Sequence, residues 1–277
     1  MSLTPAQFAR AAALEAGEQR MRRLARMSYG ELHALLSGDA VEAAAWVGSA
    51  AECGVPAAQL RLGRMLLQGR GALQDQAAAL RWFTRAAERG DAEAMNMVGR
   101  CHENGWGTPV DLPLAAAGYR RSAEAGHDWG QYNLGNLLFD GRGVARDRGQ
   151  ALQWYLRAAQ QGHGRAMNLI GRCCEEGWGC PRSQSDADYW YRRSAESGYF
   201  RGQFNHALVL MECGLAALAA QWFGAAAAGG DDDIRRAVVA ALGGARDPAL
   251  IQVRTRLMDT VCRLDTIVRG NRWRDGP

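Results

Sequence analysis

Through the middle of the chain, apolar residues fall on the helical period in short blocks, and the blocks themselves recur. A shift of 36 residues aligns four consecutive repeats: Val55–Gly90, Asp91–Gly126, His127–Gly162 and His163–Gly198. A shortened fifth, Tyr199–Gly230, follows, and a partial one ends at Gly54. Each full repeat opens on an apolar-patterned segment with glycine at its ninth position: Gly63, Gly99, Gly135 or Gly171. A G-x-G corner comes next: Gly69/Gly71, Gly105/Gly107, Gly141/Gly143 and Gly177/Gly179. The second segment sets Trp82-Phe83, Trp154-Tyr155 or Trp190-Tyr191 a turn ahead of Ala86-Ala87, Ala158-Ala159 or Ser194-Ala195. Large and small side chains so spaced share one helical stripe, and Trp82, Trp154 and Trp190 are expected to be substantially buried between helices.

Punctuation agrees with that division. Asp75, Asp111, Asp147 and Ser183 precede the second segments, where a side-chain oxygen caps free backbone N–H groups. Gly90, Gly126, Gly162 and Gly198 follow them, as left-handed helix stops. The ninth-position glycine lies inside a helix at a cost of about 1 kcal/mol against alanine. Four such glycines in register predict a neighbouring helix too close for a Cβ. Each repeat is therefore read as an antiparallel helix pair. One pair cannot bury its own apolar stripe, so the pairs must stack.

The repeats alternate in kind. The second and fourth agree at 19 of 36 positions and the first and third at 15, so the underlying period is 72. The second kind carries "CHENGWGTP" (Cys101–Pro109) and "CCEEGWGCP" (Cys173–Pro181). Trp106 and Trp178 are predicted to cover the corner. Cys101 and Cys173 stand where Met65 and Leu137 stand in the other repeats, which reads as a buried small hydrophobe. Two further readings stay open for Cys173, Cys174 and Cys180: a redox pair across the corner, or a metal site, for which three ligands fall short of the usual four. His102 occupies the place of Leu66 and Leu138, a core position rather than that of a base. No strand precedes the G-x-G corners and a third glycine is missing, so they are not nucleotide loops. No catalytic motif is present.

The pattern A-x3-L-G…G-x-G…D-x3-A-x2-W-[Y/F]-x2-A-A-x2-G, cleanest over Gln131–Gly162, resembles the Sel1-like repeat, a relative of the tetratricopeptide repeat. Gly118 departs from it where tryptophan is usual, and the fifth repeat lacks its G-x-G corner. The resemblance covers residues 40–230 and implies an all-α fold: a right-handed α/α superhelical solenoid holding protein partners on a concave face lined by the first helix of each pair. Transferred to this chain, repeat positions 3, 6, 10 and 13 point inward. They include Arg64, Asn96, Arg100, Trp129, Tyr132, Asn136, Phe139, Asn168 and Arg172. Asn96 and Arg100 recur as Asn168 and Arg172, one turn apart, a pairing suited to a peptide carbonyl and a carboxylate. Trp129, Tyr132 and Phe139 supply the aromatic type enriched at binding hot spots. The opposing reading is that duplication copied ordinary surface pairs, Arg100–Glu103 and Arg172–Glu175.

Composition changes this picture little. All 33 basic residues are arginine, so no lysine serves as a Schiff-base nucleophile or phosphate-loop cation, and the bias fits a GC-rich bacterial genome. A formal charge of +4 is modest for 277 residues, and glutamates interleave the inner arginines, which argues against nucleic acid as a partner. The start "MSLTPAQFAR" has no basic, then apolar, leader pattern, no membrane span is expected, and seven cysteines at irregular spacing read as reduced thiols, hence a cytoplasmic protein. Residues 1–39 read as an N-terminal cap, with a helix over Thr4–Met27 and another over Tyr29–Ser37, the start of the partial repeat. Residues 231–277 read as C-terminal capping helices, the last over Pro248–Val268, and a short disordered tail; either cap offers a homodimer surface. The function expected is a non-catalytic interaction scaffold or adaptor without cofactor, binding an unidentified protein or peptide with an acidic group. The alternative is a thiol- or metal-responsive regulator using Cys173, Cys174 and Cys180.

Overall fold

The structure, a computed structural model, describes residues 16–24 and 26–258. The helix expected from Thr4 therefore lies outside the described residues up to position 15, as do the last helix from 259 onward and the tail. Among the described residues the secondary structure is helical throughout, without a strand. The described residues divide into two compact units: an N-terminal unit running to residue 137 and including 141–146, and a C-terminal unit of residues 138–140 and those from 147 on.

The N-terminal unit begins with α1 (16–24), α2 (Tyr29–Ser37) and α3 (Ala40–Glu52). Then come the pairs α4 (Pro56–Gln68) with α5 (Gln76–Glu88) and α6 (Ala92–Asn104) with α7 (Leu112–Glu124), and after them α8 (Asp128–Asp140), whose last turn falls to the C-terminal unit. The C-terminal unit holds α9 (Arg148–Gln160), the pair α10 (Gly164–Glu176) with α11 (Gln184–Glu196), the pair α12 (Phe200–Glu212) with α13 (Ala216–Gly229), then α14 (Asp232–Ala241) and α15 (248–258). Neighbouring helices stack in chain order from α2 to α7 and from α9 to α14, so the helix-pair solenoid expected from the pattern is what forms.

The local signals account for the boundaries. Asp75, Asp111, Asp147 and Ser183 each accept the backbone N–H three residues on, at 2.8–3.3 Å. Gly90, Gly126, Gly162 and Gly198 sit at φ 85–90°, just past the second helices. At the ninth position, a Cβ on Gly63, Gly99 or Gly171 would come within 2.5–2.7 Å of the ring of Phe83, Tyr119 or Tyr191. The expected close neighbour is thus an aromatic ring on the paired helix. At Gly118 a Cβ would press on the backbone of Gly99, so α6 and α7 approach too closely there for the tryptophan found in the sibling repeats.

Packing revises one expectation. Of each aromatic pair, the second residue is the core member: Phe83, Tyr119, Tyr155 and Tyr191 are all at most 3% exposed. Trp82, Trp154 and Trp190 are only half-buried, and arginines cover the first two, with Arg85 4.7 Å from the Trp82 ring and Arg157 4.4 Å from that of Trp154. The reason is the glycine slot. It admits a six-membered ring against a bare backbone, and the indole one residue earlier points about 100° away round the helix. Cys101 and Cys173 lie at 0% and 1% exposure, as small hydrophobes. Leu250, Val253 and Leu257 of α15 pack against the cluster of Phe223, Val238 and Leu242.

Candidate functional site

In the N-terminal unit the first helices α4, α6 and α8 carry the predicted inner residues. Arg64 forms an ion pair with Glu93 of the next repeat. It also lines a cleft of about 380 Å³ with Leu36, Leu60, Arg61 and Arg70. Trp129 is 42% exposed and meets the half-buried Tyr132 edge-on, ring centroids 6.0 Å apart. Asn136 is half-buried one turn further along α8. Arg100 is exposed, its guanidinium 5.0 Å from the Trp106 ring and one nitrogen 3.8 Å from the Met97 sulfur.

In the C-terminal unit Phe139 meets the Trp178 ring edge-on at 5.4 Å. Arg172 is exposed, 5.5 Å from the same Trp178 ring. Both corner tryptophans are half-buried, as predicted for side chains covering a turn.

The two asparagines stand elsewhere than the sequence reading placed them. Asn96 and Asn168 are each 5% exposed, and their Oδ1 atoms accept hydrogen bonds from Asn133 at 2.9 Å and Asn205 at 2.8 Å. Each spans 37 residues, one repeat plus one position, and so ties adjacent repeats together. A buried amide must find partners within the fold, so only the arginines of the two Asn–Arg pairs reach solvent.

The glutamates behave likewise. Glu103 accepts the Tyr119 hydroxyl at 2.5 Å and pairs with Arg142 at 3.1 Å, and Glu175 accepts the Tyr191 hydroxyl at 2.6 Å. These contacts hold the second helix to the first. They replace the simple i, i+3 surface pairs considered from sequence. Burial and the neighbouring carboxylate push both tyrosine hydroxyls above their ordinary pKa, so they act as fixed donors.

Cys173, Cys174 and Cys180 do come together in the fourth repeat, all as free thiols. Burial, and next the proximity of Cys180, push Cys173 and Cys174 up to about 12, which suppresses the thiolate that redox or metal chemistry needs. Among the described residues no three His, Cys, Asp or Glu side chains are grouped to hold a metal ion. His102 is half-buried and its Nδ1 has no hydrogen-bond partner.

One functional candidate escaped the sequence reading. Arg148 lies against both Phe139, at 4.9 Å, and Trp178, at 5.2 Å. It belongs to the second helix of the preceding repeat, outside the stripe singled out by spacing. Its one sequence signal is that the first repeat has Gln76 at the corresponding place, 72 residues earlier.

The geometry agrees with comparisons to known proteins. The Sel1 repeat family model matches residues 21–55, 56–91, 92–127, 130–163 and 164–199. Among solved structures, a Sel1 repeat protein from Oxalobacter formigenes is similar at 24% identity and TM-score 0.74, over 91% of this chain and 99% of that one. The antigen c5321 of uropathogenic Escherichia coli, which displays an SLR fold, is similar at 25% identity and TM-score 0.68, over 90% of this chain; the chain spans about half, 54%, of that protein. An immunity protein of Pseudomonas aeruginosa, PA5088, shares the fold at 17% identity and TM-score 0.53, over 76% of this chain and 82% of that one. No curated protein matches the chain. With five consecutive matches covering well over half its length, the chain belongs to the Sel1 repeat family.

Proposed function

We propose that this protein is a non-catalytic adaptor whose first-helix faces bind a segment of a partner protein carrying an acidic group. Sel1 repeat proteins are generally scaffolds for protein–protein interaction. The observation that carries the reading is the exposure of costly side chains on that stripe. Trp129 keeps 42% of its surface in solvent against Tyr132, and Arg100 and Arg172 stand exposed without a carboxylate partner among the described residues. Aromatic and arginine anchors of this kind dominate interface energetics. The neighbouring polar groups, Asn96, Asn168, Glu103 and Glu175, are engaged within the fold, which leaves the arginines to face a ligand.

Nothing in the site argues for catalysis, and among the described residues no helix is long and apolar enough to cross a membrane. We assign the cytoplasm as its location because free thiols fit a reducing compartment. A thiol-responsive regulator draws support from the meeting of Cys174 and Cys180, but suppression of the Cys174 thiolate weighs against it.

The test is affinity capture from lysate of the source organism with the native chain and an Arg100→Glu, Arg172→Glu variant. A partner held by the native chain and lost from the variant is the expected result. A partner held equally by both would remove the first-helix faces as the binding surface.

A further inference from the structure

The corner around Trp178, within the C-terminal unit, combines features that stacking alone leaves unexplained. Two guanidinium groups address one indole: Arg148 at 5.2 Å and Arg172 at 5.5 Å from its centroid. Arg148 is wedged in the angle between Trp178 and Phe139, 4.9 Å from the latter. Its Nε is buried and has no hydrogen-bond partner. A buried N–H donor without an acceptor is uncommon and costly, and a second cation on the same ring adds like-charge repulsion. A carboxylate bound at these guanidinium groups would offset that repulsion.

The corresponding corner of the N-terminal unit isolates what is special. A Cβ on Gly107 would meet the carbonyl of Gln76 just as one on Gly179 would meet that of Arg148, so Gln76 and Arg148 occupy the same backbone place. Phe139 likewise corresponds to Leu67 in sequence. The Trp106 ring is addressed by Arg100, and Gln76 brings no second charge. Arginine at 148 and phenylalanine at 139 together turn a covered turn into a cationic slot with an aromatic wall.

The geometry points to an oxyanion-binding subsite at Arg148 and Arg172, with Trp178 and Phe139 as its floor, that takes an Asp or Glu carboxylate of a partner peptide flanked by an apolar side chain. This rests on the adaptor reading and deepens it by naming the subsite. Guanidinium groups bind carboxylates through paired, charge-assisted N–H donors. A singly charged carboxylate suits the slot better than a doubly charged phosphate, because Glu175, three residues after Arg172, already places one negative charge beside Tyr191. The aromatic wall would receive the neighbouring apolar side chain of a peptide, for which a free anion has no counterpart.

The experiment uses the full ¹⁵N-labelled chain and follows the Arg148 Nε–H and Trp178 indole N–H resonances. The probes are blocked peptides of pattern apolar-Glu-apolar-apolar-Glu-apolar, the same peptides with glutamine for glutamate, and inorganic phosphate. We expect the glutamate peptides to shift the Arg148 resonance saturably, and Arg148→Gln to weaken them at least about tenfold, with Arg148→Lys in between because it keeps the charge and loses the fork. Both variants should keep the native helical signal and melting temperature. Equal binding of the glutamine peptides, saturation by phosphate at the same concentrations, or no shift up to about 1 mM peptide would each overturn the subsite. In lysate capture, a partner lost from Arg100→Glu, Arg172→Glu but undiminished on Arg148→Gln would sink this subsite and leave the adaptor reading standing. A partner retained by both would remove the first-helix faces as the binding surface, and the subsite with them.

Discussion

The turns at Trp106 and Trp178 are written with nearly the same nine residues, share the same left-handed glycines, and yet differ in what surrounds the indole. At Trp106 there is one guanidinium, and the nearby Glu103 is held twice, by Tyr119 and by Arg142. At Trp178 there are two guanidiniums, and Glu175 is held by Tyr191, with glycine at 214 where the Arg142 register would place a third cation. Each corner has two arginines and one glutamate, but at the first one arginine is paired with the glutamate, whereas at the second both arginines lie against the indole. A repeat thus duplicates its backbone faithfully while its surface diverges through the neighbours each copy acquires, since a solenoid repeat contacts only the repeats beside it.

The shared backbone gives the largest expected effect and should not distinguish the corners. Gly107 and Gly179 have φ of 73° and 80°, and a Cβ on either would overlap the backbone of Gln76 or Arg148. Gly107→Ala and Gly179→Ala should each cost about 3 kcal/mol in urea unfolding, combining left-handed strain with the clash. A wide difference between the two would mean that the turns are not equivalent after all.

The tyrosine–glutamate bonds should separate the corners. Removing the hydroxyl with Tyr191→Phe leaves Glu175 without its donor, whereas after Tyr119→Phe the Glu103 carboxylate still has Arg142. Unfolding free energies should fall by about 2 kcal/mol for the first and about 1 kcal/mol for the second. Equal losses would show that Arg142 does not support Glu103 in solution.

The smallest effect concerns the helix caps. The repeat carrying Trp106 opens on Asp91, whereas its successor opens on His127, whose Nδ1 accepts the Gly130 N–H at 3.2 Å and must therefore be unprotonated. Burial lowers the His127 pKa, with Arg64 acting the same way and Asp128 and Asp91 opposing. A depressed histidine contributes stability that is fully present above the unfolded value of about 6.5 and is lost as pH falls through the folded value. Unfolding measured downward from pH 7.5 should lose no more than the roughly 1 kcal/mol of an N-cap over that window, and His127→Asn, which caps without titrating, should flatten the profile. An unchanged profile in the variant would move the acid sensitivity elsewhere.

The sequence by itself determined the repeat, its register and its punctuation. Caps at Asp75 or Ser183, left-handed stops at Gly90 or Gly198, and the glycine slot at Gly63 or Gly171 are decided within a helix pair, where spacing along the chain is spacing in space. It also located Arg100, Arg172 and Trp129 on exposed ground, because a stripe at three- and four-residue spacing is a local property too. What only the tertiary structure decided was which polar group meets which. Asn96 and Asn168 look like ligands until Asn133 and Asn205, 37 residues on, claim their oxygens. Which ring of each aromatic pair is core depended on the angle at which the paired helix presents its bare glycine. Arg148 joins Arg172 at Trp178 from another repeat, through the stacking of α9 against α10. A side-chain contact across repeats is set by how two helices pack, and no single segment of the chain encodes that distance.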